Sequence, residues 1–366
     1  MTRRRPSTIR FAVRPVAFRM RVLFGMAVAC TLACRPDSRE GAKPAIVHPP
    51  AELTVAANDL ARDSDGGVTF LSFAMGKIGD ADLEQLDRHP TLTRLRIQEC
   101  PRVTDASLDR IAKLEALEQL ELIRVPVSDS GIARLESAKA LRRLALHHTS
   151  VTGAGLAPLA KLGLTDLQIS GTGISREGLA CVPTLTTLES LGLHLTSLPA
   201  EQWPPLAPLG RLRRLDLLTT RVSDAGIRVL DGMVDLSDLV FTTEAITDAG
   251  MEAIGALRSI RTLNLVDARI TPSALRRLKD LSKLEVLELG PTIPDEGLRE
   301  LPLLENLREL RLNATLMTGS SLDHLKTFKN LAVIDIRSAR LSPTGKQVIA
   351  DLTASRPEIR MVYISN

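Results

Sequence analysis

Leu212-Arg-Arg-Leu215-Asp-Leu217, followed by Val222-Ser-Asp-Ala-Gly-Ile227, is the stretch that decides the fold. It returns one period later as Leu236-Ser-Asp-Leu239-Val-Phe241 with Ile246-Thr-Asp-Ala-Gly-Met251. Looser copies run from residue 68 to 364, about twelve in all. The middle leucine of each copy makes a ruler: Leu71, Leu95, Leu120, Leu144, Leu167, Leu191, Leu215, Leu239, Leu263, Leu287, Leu310, Ile334 and Val362. Steps are 23–25 residues until the last, which is 28. A unit this short cannot hide its apolar stripe alone, so each copy must stack on the next.

Within a copy, Leu-x-Leu alternation puts the leucines on one side of a strand and the intervening residues on the other. The Asp-Ala-Gly-Leu-x-x-Leu part then changes to helical spacing, as in Ile132 with Leu135, Leu156 with Leu159 and Leu275 with Leu278. Thr or Ser before Asp-Ala-Gly suits a helix N-cap, and the Asp suits the first turn. Each copy therefore reads strand, turn, short helix. Parallel strands joined by helical crossovers wind right-handed.

These units resemble leucine-rich repeats. The Thr-Asp-x-Gly-Leu wording is most similar to the cysteine-containing, F-box-like subtype and its bacterial relatives. The resemblance implies a right-handed α/β solenoid (a horseshoe), with a parallel sheet on the concave side and short helices on the convex side. It also implies a ladder position eight residues after the first leucine, where Asn or Cys bonds neighbouring backbone. Here that position holds Cys100, Thr149, Thr172, Thr196, Thr220, Thr292 and Thr315. A Thr hydroxyl donates and accepts, so these threonines are expected to satisfy turn backbone between rungs.

The net charge of +4 comes from 47 Lys+Arg against 43 Asp+Glu. Residues 1–33 hold seven arginines and no acid, so the remainder carries 40 bases against 43 acids, a net of −3. The basic excess thus belongs to the leader and does not mark a nucleic-acid surface. Arg3, Arg4, Arg5, Arg10, Arg14, Arg19 and Arg21 precede an apolar run, Val22 to Ala33, that has the length of a signal h-region rather than a bilayer span. The run ends Thr31-Leu32-Ala33-Cys34, which resembles a bacterial lipobox and implies lipidation of Cys34. Ala27-Val28-Ala29-Cys30 is a second candidate, and Met20 an alternative start. A cleaved soluble export signal and an uncleaved anchor are the other readings.

The expected organisation is a signal peptide over 1–33, a lipidated cysteine and flexible tether over 34–50, an N-terminal cap over 51–67 and the repeats over 68–366. Residues 51–62 pattern as one amphipathic helix, and Asp63-Ser-Asp-Gly-Gly67 as a turn. One copy departs from the rest: Leu198-Pro-Ala-Glu-Gln-Trp203-Pro-Pro-Leu206-Ala-Pro208 cannot form a regular helix. Trp203 is expected to pack beneath an irregular turn; the alternative is an exposed contact loop anchored by it. Cys100 and Cys181 lie three repeats apart, on the order of 14 Å, so no disulfide is expected. Cys181 is expected to be a buried apolar residue.

The concave sheet would display Arg143, Asp166, Gln168, Arg214, Asp216, Asp238, Asn264, Glu288 and Arg311 as the candidate binding face. Opposite charges fall on neighbouring rungs: Arg96 with Glu121, Arg143 with Asp166, Arg214 with Asp238, Glu288 with Arg311. This mixture is not the basic stripe that nucleic acid requires, and aromatics at 2% leave few stacking platforms. His147 and His194 share a column two rungs apart, roughly 10 Å, too far to share a metal. No glycine-rich phosphate loop, Gly-x-Ser-x-Gly elbow or His-Glu-x-x-His occurs.

No catalytic residue, cofactor or metal site is expected. The expected role is a non-catalytic protein–protein interaction scaffold, anchored to a bacterial envelope by lipid and gripping an unidentified protein or peptide. The alternatives are an intracellular F-box-like substrate receptor of a ubiquitin ligase, and cell-wall polysaccharide binding. The last strand, Ile359-Arg-Met-Val362-Tyr-Ile364, is an edge through which two copies could pair.

Overall fold

The computed structural model describes residues 53–194, 199, 202–217, 222–241, 245–313, 321–337 and 342–364. The leader, Cys30, Cys34, the tether, Thr196, Thr220 and Thr315 lie outside the described residues. Residues 49–366 form one compact unit.

Its framework is a single 14-stranded sheet whose strands lie in chain order. The strands are β1 (Asp59–Arg62), β2 (Val68–Ala74), β3 (Arg94–Gln98), β4 (Gln119–Ile123), β5 (Arg143–His147), β6 (Asp166–Ser170), β7 (Ser190–His194), β8 (Arg214–Leu217), β9 (Asp238–Phe241), β10 (Thr262–Leu265), β11 (Val286–Leu289), β12 (Glu309–Asn313), β13 (Val333–Arg337) and β14 (Arg360–Ile364). β2 to β14 are parallel, and β1 runs antiparallel to β2. α1 (Leu53–Ala56) precedes the sheet, and helices cross between its strands: α2 (Asp80–Leu83), α3 (Asp105–Ile111), α4 (Asp129–Arg134), α5 (Arg176–Ala180), α6 (Gly250–Gly255), α7 (Asp295–Leu298) and α8 (Pro343–Ser355), with 3-10 turns elsewhere. This is the leucine-rich-repeat solenoid that the period implies.

The leucine ruler holds from Leu71 to Ile334, each residue pairing with the next. These residues are at most 1% exposed and form one continuous aliphatic core between sheet and helices. The last mark is displaced. Ile334 pairs with Met361, and Val362 pairs with Asp335. α8 is the longest crossover, 13 residues, and Arg360 N–H enters the ladder at Ala332 O, 2.8 Å. The strand therefore begins one residue earlier than its leucine pattern suggests, and a slip of one exchanges the faces.

The N-terminal segment also differs from expectation. The amphipathic helix expected over 51–62 is confined to α1, and β1 follows it, pairing with β2 through a register irregularity between Ala61 and Arg62. The turn at 63–67 is as expected, with Asp63 Oδ1 accepting from Gly67 N–H at 2.7 Å. Trp203 is buried among the core aliphatics, so it anchors no exposed loop, and residues 203–213 carry no helix. Cys100 and Cys181 are both free, and Cys181 is half-buried rather than buried because its helix ends there.

The Thr/Ser-Asp-x-Gly phrase does more than cap. Thr104, Ser128, Ser175 and Ser342 do accept from N–H groups of the first turn. The Asp that follows reaches across to the next repeat. Asp80 accepts from Thr104 N–H at 2.7 Å and Thr104 Oγ1 at 2.6 Å. Asp105 does the same with Ser128, at 2.8 and 2.5 Å. Asp129 accepts from Thr152 Oγ1 at 2.5 Å and from the N–H groups of Gly153 and Gly155 at 3.0 and 3.1 Å. Asp224 clamps Thr247, and Asp248 clamps Thr271, with distances of 2.5–2.8 Å. The glycine has its own reason: a Cβ on Gly131 or Gly250 would collide with the carboxylate of Asp105 or Asp224. Each copy of the phrase is half of a lock whose other half is its neighbour.

Burial alone would raise the pKa of Asp105 and Asp129. The hydrogen bonds from Ser128 and Ser130, and from Thr152, Gly153 and Gly155, outweigh it and hold both carboxyls below their ordinary range.

Candidate functional site

The face of the sheet opposite the helices presents the residues between the leucines, and all nine candidates stand on it in the expected columns. One column runs Arg143, Asp166, Ser190, Arg214, Asp238. The next runs Ala145, Gln168, Gly192, Asp216, Val240 and, farther along, Asn264, Glu288, Arg311, Asp335. Strand geometry alone fixes these positions, since alternate residues share a face.

The side chains sort into two networks. At the centre, Gln168 Nε2 donates to Asp166 at 2.6 Å and to Ser190 Oγ at 3.3 Å. Its carboxamide lies over Gly192, whose missing Cβ makes room for it. His194 Nε2 lies 3.4 Å from Asp216. His147 stands in the same column as His194, with Ser170 between. Burial, then the neighbouring His194, His148 and Arg96, lower the His147 pKa and favour its neutral form. Farther along, Asn264 donates to Glu288 at 3.4 Å, and Arg311 meets Glu309 at 2.8 Å and Glu288 at 3.6 Å. Burial opposes the charge on Arg311, but Glu309, Glu288 and the buried Asp335 more than offset it, so its pKa rises.

Two of the four charge pairs expected from sequence form: Arg96–Glu121 and Glu288–Arg311, both at 3.6 Å. Arg143 and Asp166 are paired in register without an ion pair, because Asp166 is taken by Gln168. Arg214 and Asp238 likewise stay apart, Asp238 accepting from Ser237 Oγ at 2.7 Å. Arg143 and Arg214 are exposed and have no ion pair among the described residues. The nearby arginines are held: Arg94 over the Phe70 ring at 5.1 Å, and Arg96 by Glu121 and Gln98.

The threonine ladder is only partly as expected. Thr292 Oγ1 donates to Ala268 O at 3.1 Å, and Cys100 Sγ to Gln98 O at 3.3 Å. Thr149 and Thr172 are buried with hydroxyls that find no partner, since the adjacent left-handed residues His148 and Gly171 carry the rung-to-rung bonds through their own N–H groups. Among the described residues no group of three or more His, Cys, Asp or Glu side chains is placed to hold a metal ion, and no helix is long and apolar enough to cross a membrane.

No protein-family model matches the chain, and no curated protein sequence does. Among solved structures it is similar to an internalin, InlF, from Listeria monocytogenes: 16% identity, 88% of this chain against 99% of that one, TM-score 0.46. It is also similar to the functional domain of Listeria monocytogenes InlJ, described as including a cysteine ladder: 16% identity, 69% of this chain against 50% of that one, TM-score 0.45.

Proposed function

We propose that this chain is a non-catalytic scaffold that grips a protein or peptide on the helix-free face of its sheet. The observation that carries this reading is the in-register run of parallel strands, which lays Arg143, Asp166, Gln168, Arg214, Asp216, Asp238, Asn264, Glu288 and Arg311 side by side on one helix-free face. Such a surface offers many shallow polar contacts rather than one enclosed cavity, which suits a macromolecular partner. The guanidinium groups of Arg143 and Arg214, which have no ion pair among the described residues, are the strongest anchors on it, because Arg is enriched where interfaces concentrate their energy.

The leader supports placement at a bacterial envelope, with Cys34 lipidated and residues 35–50 as a tether. Two or three acyl chains, at about 0.8 kcal/mol per buried methylene, hold a protein stably at a membrane. Two measurements test the reading. Photo-crosslinkers at Gln168 and Asn264 in cells should capture a protein that one at Glu252, on α6, does not; capture only from Glu252 would assign binding to the other side. Mass spectrometry of the mature N-terminus should show a diacylglyceryl Cys34; an intact Met1 in a cytosolic fraction would reject the envelope placement.

A further inference from the structure

The two ends of the sheet are built differently. At one end β1 is short, carries Asp59 and Arg62, and has a register irregularity, all features that blunt an edge against pairing. At the other end β14 is regular over its five residues, pairs with β13 throughout, and has no second neighbour among the described strands. Arg360 is its one charged residue. The last rung also keeps aliphatic side chains only partly covered: Val348, Ile349 and Met361 pack against the core yet are half-buried.

We propose that two copies of this chain pair antiparallel through β14, around a two-fold axis at Val362. Arg360 N–H points to β13, so in a parallel ladder the alternate residues Met361 and Tyr363 turn their N–H and C=O groups outward. Antiparallel pairing about Val362 sets Met361 opposite Tyr363 of the second copy, and each exchanges both main-chain bonds. Val362 then faces its own counterpart in a non-hydrogen-bonded pair, where Cα atoms lie about 4.5 Å apart. Arg360 falls opposite Ile364, so no like charges meet. The half-buried Val348, Ile349 and Met361 lie at the same end and extend the apolar area beyond the strand. The contact is one five-residue strand with a few side chains beside it, against the roughly 1,200–2,000 Å² that stable interfaces bury, so association belongs in the micromolar range. Because β1 is blunted, the pairing closes as a dimer and does not propagate into a filament.

The test uses the full chain. Light scattering at tens of micromolar should give a dimer. Tyr363→Pro removes an outward N–H while sparing the bonds to β13, a position where an edge strand tolerates proline; it should give a monomer with unchanged circular dichroism. Val362→Cys should form an intermolecular disulfide under mild oxidation, because the expected Cα separation fits one, whereas Asn264→Cys on the same face should not. A wild-type monomer at these concentrations overturns the proposal. So does a dimer that survives Tyr363→Pro without a Val362→Cys crosslink, which would place the interface elsewhere.

Discussion

The rungs from β2 to β5 and those from β6 to β8 share one core but are joined differently. In the first block the carboxylates of Asp80, Asp105 and Asp129 clamp successive repeats, and ion pairs join the same helices: Arg110 with Asp87, Arg134 with Asp109 at 2.5 Å, Lys161 with Glu136 at 3.8 Å. In the second block Gly153 and Arg176 stand where the Asp would be, and the next crossover is the proline-rich segment with Trp203. Ser175 N–H bonds Thr152 O at 2.8 Å in place of a carboxylate. Clamping resumes with Asp224 and Asp248 and stops again at Pro272. The difference teaches that stacking needs only the leucines, and that the locks are a separate layer of stability that can be left out.

The largest expected effect does not distinguish the blocks, and that is its use. Leu144→Ala and Leu191→Ala should each cost about 2–5 kcal/mol by denaturant unfolding, since both are at most 1% exposed in the same core. A silent change at either would mean the inside–outside register is wrong. Next comes Asp129→Ala, which leaves the hydroxyl of Thr152 and the N–H groups of Gly153 and Gly155 without their acceptor. It should cost about 1–3 kcal/mol, whereas Arg176→Ala in the unlocked block should stay within about 0.5 kcal/mol. Equal losses would erase the distinction.

Acid should separate the blocks without mutation. A carboxyl whose folded pKa is lowered contributes stability that is present above its unfolded pKa and lost as pH falls through the folded value. Asp105 and Asp129 are of this kind. Amide protection in residues 104–155, measured against the intrinsic exchange rate at each pH, should therefore fall as pH drops below the ordinary carboxylate range, ahead of residues 166–194; the reverse order would contradict the locks. The smallest effects belong to the surface: Lys161→Ala should cost under about 1 kcal/mol, as exposed ion pairs do, and Arg214→Ala should leave stability unchanged while weakening capture of a partner.

The fold was legible because one residue type at one spacing, Leu-x-x-Leu-x-Leu, records both strand alternation and repeat length. The open-face columns followed from the same spacing, so their members needed no further information. The locks did not show through. Thr-Asp at a helix start is fully explained by capping, and the carboxylate's real partner is 23 or 24 residues away. The available signal was the glycine two residues later, whose smallness capping does not require. Which ion pairs form was not legible in the spacing: Arg143 lost Asp166 to Gln168, whose carboxamide fits over Gly192, whereas Arg311 meets Glu288 even with Glu309 closer. The register of β14 was missed because Ile359 occupies the first-leucine position but lies one residue before its strand, where Leu212 and Leu236 lie two before theirs.

Each lock names only its immediate neighbour. An unequal crossover in the gene that duplicates one 24-residue unit, such as 224–247, leaves Asp224, its copy and Asp248 each with a Thr to hold. The arc can lengthen by whole modules at no cost in compatibility. A unit copied from 153–178 carries no such carboxylate, because Gly153 and Arg176 stand in its place.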